Sequence, residues 1–157
     1  MAFESARLAT TDDLASIDEI GRAVLAPLPE ARGGPIFTAF ELGFSSPVER
    51  ASVALASPDA QGCAVGEFEG VVFGYAVWTV EALETGDHLG RLHDFAVHPD
   101  ARGVGIGEAM MNLVVADLTE RGCVGVDAWA LPGDRATKNF FESFGLKARL
   151  LTAHRKL

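Results

Sequence analysis

Residues 92–111, LHDFAVHPDARGVGIGEAMM, bring an imidazole, a carboxylate and a guanidinium next to Gly103, Gly105 and Gly107. An imidazole with an ordinary pKa near 6.5 can take a proton at neutral pH, so His93 is a candidate base. Asp94 is the carboxylate beside it. The alternative for His93 is bland: a histidine packed on a sheet or bonded to a carbonyl. Adjacent strand residues face opposite ways, so His93 and Asp94 share one pocket only across a bulge. The glycines lack Cβ atoms, which lets backbone N–H groups come close to a ligand. An amphipathic helix follows at once, and its N-terminus adds unpaired donors and a partial positive charge. Strand, glycine turn and helix together describe a pyrophosphate cradle, with Arg102 at its lip.

Three kinds of phosphate site use such a turn. A Walker loop requires GKS or GKT after the glycines, and neither is present. A dinucleotide fingerprint requires GxGxxG, but Glu108 follows Gly107 and only about 50 residues remain for the rest of a doubly wound sheet. The third is an acyl-CoA site. Arg102, Gly105 and Gly107 satisfy R/Q-x-x-G-x-G/A, the cofactor motif of the GCN5-related N-acetyltransferase (GNAT) family, which this segment resembles. Downstream, DRATKNFFESFGL is similar to that family's N-x-x-A-x-x-[LF]-Y-E-x-x-G-F, and RLATTDDLASI resembles its usual opening. The strand segment LHDFAV is similar to the LEDFFV type of diamine acetyltransferases, with His93 at the position of their proton-handling Glu.

The resemblance implies a site residue by residue. The fourth strand would pair with the pantetheine arm through Phe95, Ala96 and Val97, and the Val97 amide would polarise the thioester carbonyl. The amides of Arg102, Gly103, Val104, Gly105, Ile106, Gly107 and Glu108 would hold the pyrophosphate. Asp134 stands where the family has Asn near the arm, or serves only as a helix cap. Lys138 and Asn139 would meet the nucleotide end, although Lys138 also suits a solvated helix face. Phe141 is the departure, because the family's Tyr at this position protonates the departing thiolate and Phe cannot. Loss of a general acid costs about 10²–10⁴-fold rather than all activity. Tyr75, the chain's only tyrosine, would replace it only if its strand face points to the site. His98 reads as a surface loop residue, and His88 and His154 carry no signal.

Flanking elements must hold these residues in place. A strand over 3–9 leads to a helix start at Thr10-Thr11-Asp12-Asp13, with Leu14, Ile17, Ile20 and Val24 at helical spacing. Residues 30–46 are ambiguous. A helix follows over 47–56, with Pro at its first turn. GCAVGEF and VVFGYAVWTV form a hairpin across Glu69-Gly70. A strand over 91–97, a helix from Ile106 to Gly122, a strand over 123–130 and a helix from Asp134 to Gly145 come next. Only 12 residues follow Gly145, room for one strand over 148–155. The expected fold is α+β with mixed α/β layers in one N-acetyltransferase domain over 1–157. It has a mostly antiparallel twisted sheet of six to seven strands, the fourth and fifth parallel and splayed, and about four helices.

The net charge is −9, with 22 acidic against 13 basic residues. Nucleic acid and anionic membranes both call for a basic patch, so neither is an expected partner. Cys63 and Cys123 show no zinc spacing, and no metal is implied. The N-terminus lacks the apolar core of a signal peptide, so a cytoplasmic location is expected. The expected activity is transfer of acetyl from acetyl-CoA to a small-molecule or peptide primary amine. The alternative is a non-catalytic acyl-CoA-binding module. Glu81, Glu84 and Asp87, in and beside the loop before the fourth strand, predict a preference for cationic acceptors. A sticky final edge at Leu150-Leu151, or the aromatic segment 37–44, predicts a homodimer.

Overall fold

The computed structural model describes residues 2–43 and 45–157. Strand β1 (Glu4–Leu8) comes first. A turn capped by Thr10, whose backbone N–H donates to the Asp13 carboxylate at 2.8 Å, then opens α1 (Leu14–Leu25). Ile17 and Ile20 bury one stripe of that helix, as their spacing requires. The ambiguous stretch holds a single turn, α2 (Gly34–Ile36), which runs into a π-type turn over Phe37–Glu41. Phe44, the end of the aromatic segment, lies outside the described residues. Ser46 caps α3 (Pro47–Ala56) in a reciprocal box with Glu49, and Pro47 takes the first helical position, where it costs no hydrogen bond.

Strands β2 (Gln61–Phe68) and β3 (Val71–Ala82) form the expected hairpin, and β4 (His88–Val97) lies antiparallel to β3. Helix α4 (Ile106–Glu120) returns the chain so that β5 (Cys123–Ala128) runs parallel to β4, and α5 (Arg135–Ser143) follows. Among the described residues the sheet has five strands in the order β1-β2-β3-β4-β5.

That corrects the expectation of six to seven strands. Residues 146–157 form no strand, and Leu150 and Leu151 are 75% and 86% exposed. A half-buried strand needs apolar residues at every second position. Here the two leucines are adjacent, so any pairing would turn one of them to each face. The segment is held instead by Arg149, which donates to the Asp127 carboxylate of β5. Among the described residues there are also five α-helices rather than about four, the turn at Gly34–Ile36 being the additional one.

Each sheet face carries its own core. Ile17, Ile20, Ala51 and Ala54 of α1 and α3 pack on Cys63, Val65, Tyr75 and Val77. On the other face Met111, Val114 and Leu118 of α4 and Phe141 of α5 pack on Ala64, Ala76, Trp78 and Leu92. Gly62 is needed for this packing: a Cβ there would come within 2.1 Å of the Trp78 ring, which is fully buried.

Candidate active site

Pairing between β4 and β5 runs from His88 opposite Cys123 to Leu92 opposite Ala128, and there it stops. From His93 to Val97, β4 keeps β3 on one side and has no strand partner on the other among the described residues. The amide of His98 donates to Phe73 of β3 at 2.8 Å. Successive amides of a strand point to opposite sides, so the Val97 amide faces the open side.

The same strand contains a bulge. Val77 pairs with Asp94 and Trp78 with Leu92, leaving His93 as the extra residue. Before it, Gly90 and Leu92 face α4. After it, Asp94 and Ala96 face α1 and α3, while Phe95 turns to Phe140 and Phe141 at 5.3 and 6.0 Å between ring centres. His93 and Asp94 therefore lie on one face of the sheet, the arrangement that strict alternation forbids.

Their surroundings differ. Asp94 is buried and accepts two hydrogen bonds of 2.7 Å from Arg50 of α3, and a third of 3.2 Å from the Tyr75 hydroxyl. Arg50 also donates to the Ser45 carbonyl. This closed network accounts for Tyr75. Burial and the Asp94 charge push its phenol far above its ordinary range, and its proton is committed to Asp94. It is no substitute for the missing general acid. His93 is half-buried, with Nε2 2.8 Å from Thr79 Oγ1 and its ring edge-on to Trp129 at 5.3 Å. Loss of solvent, aided by Arg91, holds its pKa below the ordinary value, so it is neutral at pH 7. A cavity of about 220 Å³ opens here, with His93, Thr79, Val77, Arg50 and Val53 among its walls. Cys63, on the same face, is buried, and its thiol is pushed up to about 12.

Beyond Val97 the chain enters the glycine turn. Gly103 and Gly105 have φ of 80° and 90°, which side-chain-bearing residues rarely adopt, and Gly105 caps α4. Among the described residues, no acceptor lies on the amides of Gly103, Val104, Gly105, Ile106 or Gly107. Arg102 reaches back to the Val97 carbonyl at 3.4 Å, and the Glu4 side chain stands against Gly105. Gly107 also serves packing. It lies inside the helix, where a Cβ would press on Phe140 at 3.1 Å, so its bareness lets α5 approach α4.

These features accord with a family model, the Acetyltransferase (GNAT) family, that matches residues 35–146. The chain belongs to the GNAT acetyltransferase family. Members generally use acetyl-CoA. The GNAT fold recurs in solved structures. A mutant form of a Bacillus halodurans protein superposes at a TM-score of 0.79 with 21% identity, covering 97% of this chain and 99% of that one. A Trypanosoma brucei acetyltransferase gives 0.66 at 23% identity, with 98% and 99% covered. An aminoglycoside acetyltransferase from an uncultured soil sample, in complex with sisomicin, gives 0.70 at 19%, with 99% and 97% covered. No curated protein matches the chain.

On α5 of this GNAT domain, Asp134 accepts from the Thr137 amide and hydroxyl at 3.1 and 2.7 Å, which is the capping role. Lys138 and Asn139 are exposed, and Lys138 pairs with Glu142 at 3.7 Å. Phe141 is buried in the aromatic cluster with Phe95 and Phe140. His98 caps the turn at Pro99–Ala101. Glu81 is paired with Thr79 at 3.2 Å and Arg91 at 3.5 Å, while Glu84 and Asp87 are exposed in the turn beyond. No helix of the described residues is long and apolar enough to cross a membrane. Among them no group of three His, Cys, Asp or Glu is placed to hold a metal.

Sequence reading missed Arg50, Thr79 and Trp129. Arg50 was detectable: it falls on the stripe Pro47, Ala51, Ala54 that α3 buries, where a charge must have an internal partner. Arg50 and Asp94 side chains are 11% and 5% exposed. Removing one member of such a pair costs roughly 3–5 kcal/mol, because the other charge is left buried alone. Arg50→Met should lower stability by that order in urea unfolding. Arg50→Met with Asp94→Leu should recover most of the loss. A single-variant loss below about 1 kcal/mol would show that the pair does not hold α3 on β4.

Proposed function

We propose that this chain is a cytoplasmic acetyl-CoA-dependent N-acetyltransferase, one domain over 1–157, which acetylates a primary amine by direct attack in the gap between β4 and β5. The observation that carries this reading is the continuity of two unpaired backbone stretches. The open edge of β4 leads straight into the free amides at the start of α4. A pantetheine arm needs amide-pairing groups along its length and a pyrophosphate needs N–H donors at a helix N-terminus, so the donor is matched end to end.

Phe95, Ala96 and Val97 would line the arm, and the turn from Arg102 to Glu108 would hold the pyrophosphate. Asp134, Lys138, Asn139 and Phe141 border the arm from α5. Acetyl-CoA supplies the acetyl group as an activated thioester. The Val97 amide polarises its carbonyl. His93 removes the acceptor's proton. Asp94 stands as a positioning residue, since Arg50 and Tyr75 occupy its oxygens. A simple thiol has a pKa near 8.5, so the thiolate leaves without a tyrosine. The cavity, at about 220 Å³, is smaller than drug-sized sites of ~300–1,000 Å³ and suits a compact amine or the tip of a peptide side chain. Glu49 is the carboxylate on its wall, and Ser46 already donates to it, so a preference for cationic acceptors rests on the exposed Glu84 and Asp87.

CoA release measured over a panel of amines tests the reading against a binding module that has lost its chemistry. Amine-dependent release above hydrolysis supports transfer, and tight CoA binding without turnover supports the module. Arg102→Ala and Gly105→Val should each weaken CoA binding at least tenfold by calorimetry, and unchanged affinity in both would remove the cradle.

Phe141→Tyr restores the family's usual proton donor and should hold or raise turnover. A folded variant that has lost activity would mean that Phe141 packs against substrate instead.

A homodimer is also proposed, now with β5 as the exposed sheet edge. Val124 there is 64% exposed, beside a groove formed with Val115 and Leu118 of α4. Light scattering at micromolar concentration should give about twice 16.6 kDa; a mass of 16.6 kDa would refute the dimer.

A further inference from the structure

The bulge residue belongs to a closed ring of side chains. His93 Nε2 lies 2.8 Å from Thr79 Oγ1, which lies 3.2 Å from Glu81 Oε1. Glu81 Oε2 lies 3.5 Å from Arg91. The Arg91 guanidinium sits 5.1 Å over the Trp129 ring, and Trp129 returns edge-on to His93. Thr79 has one hydroxyl proton to give and lies between two groups. A carboxylate only accepts. If Thr79 donated to His93, its oxygen and that of Glu81 would face each other at 3.2 Å with no proton between them. The satisfied arrangement has Thr79 donating to Glu81 and accepting from His93.

We propose that Thr79 and Glu81 fix His93 in the Nε2–H tautomer, leaving Nδ1 as the ring's lone pair and proton-accepting atom. No residue described in the structure bonds to Nδ1. The groups facing the imidazole are Arg91 and Asp94 on β4, Glu81 on β3, and Arg50 and Glu49 on α3. The two cations and three carboxylates are tied to one another or to nearby backbone, so none is free to protonate or claim the ring. The burial that keeps the imidazole neutral supports the same assignment.

What Nδ1 then does rests on the acetyltransferase reading. It takes a proton from the acceptor's ammonium: an N–H bond breaks, Nδ1–H forms, and the amine is freed. The nitrogen lone pair forms the new C–N bond as the C–S bond breaks and its electron pair leaves with sulfur. The surplus proton on the new amide nitrogen passes to the thiolate or to water. Thr79 and Glu81 are positioning residues, acting only through His93.

The test is long-range ¹H–¹⁵N NMR of histidine-labelled protein at pH 7.5, with His93→Gln assigning the signal among the four histidines. The unmodified chain should show His93 neutral with Nδ1 unprotonated. Thr79→Val, close in volume but without the hydroxyl, should bring in the Nδ1–H tautomer, and Thr79→Ser should remove it again. With a reactive amine, Thr79→Val should lower kcat tenfold or more at unchanged KM for acetyl-CoA, and Thr79→Ser should restore it. An Nδ1–H or charged His93 in the unmodified chain overturns the proposal. So does a Thr79→Val protein whose tautomer is unchanged. Absence of acetylation with every amine defeats the acetyltransferase reading alone, because the NMR result decides the tautomer without turnover.

Discussion

The extra residue at His93, opposite the step from Val77 to Trp78, reverses the facing of every side chain after it in β4. Without it Asp94 would share the α4 face with Leu92, and Arg50 of α3 would have no buried carboxylate to meet. Phe95 would leave Phe140 and Phe141, and α5 would lose one of its contacts with the sheet. One residue of slip is enough because side chains on a strand alternate with a period of two. The bulge also lies where β5 stops pairing, so the change of face and the opening of the sheet coincide.

That coincidence divides the labour between backbone and side chains. The proposed donor site is almost wholly backbone: a bare strand edge and amides exposed by Gly103 and Gly105 in left-handed conformations. Such a site depends little on net charge, which is how a chain of −9 offers an anion cradle at all. Glu4 stands beside that cradle and Arg102 is its nearby cation. The chemistry on the opposite sheet face depends instead on side chains. There Arg50, Asp94 and Tyr75 satisfy one another, while His93 is bonded through Nε2 to Thr79.

The loss of the family's tyrosine is consistent with this division. Phe141 fills an aromatic cluster with Phe95 and Phe140, and its burial stabilises the contact of α5 with the sheet. Tyr75 cannot stand in, because it faces α1 and α3 and is committed to Asp94. The proposed transfer would then rest on the leaving ability of the thiolate and on removal of the amine proton, the role proposed for His93.

The sequence by itself determined the elements whose signals are local. The helix starts at Thr10 and Pro47, the hairpin at Glu69-Gly70, the glycine turn before α4 and the family motifs could all be read from consecutive residues. Spacing along one chain encodes them, so no distant partner had to be known. The tail 146–157 was misread because its length admitted a strand while its adjacent leucines did not suit one. Only the tertiary structure decided which face His93 and Asp94 share, since a bulge is a mismatch between two strands and leaves no mark on one. It alone brought Arg50 to Asp94, 44 residues apart, and Thr79 to His93, 14 apart. It also gave Gly107 a packing role, because the need for a missing Cβ appears only once Phe140 of α5 is placed against it.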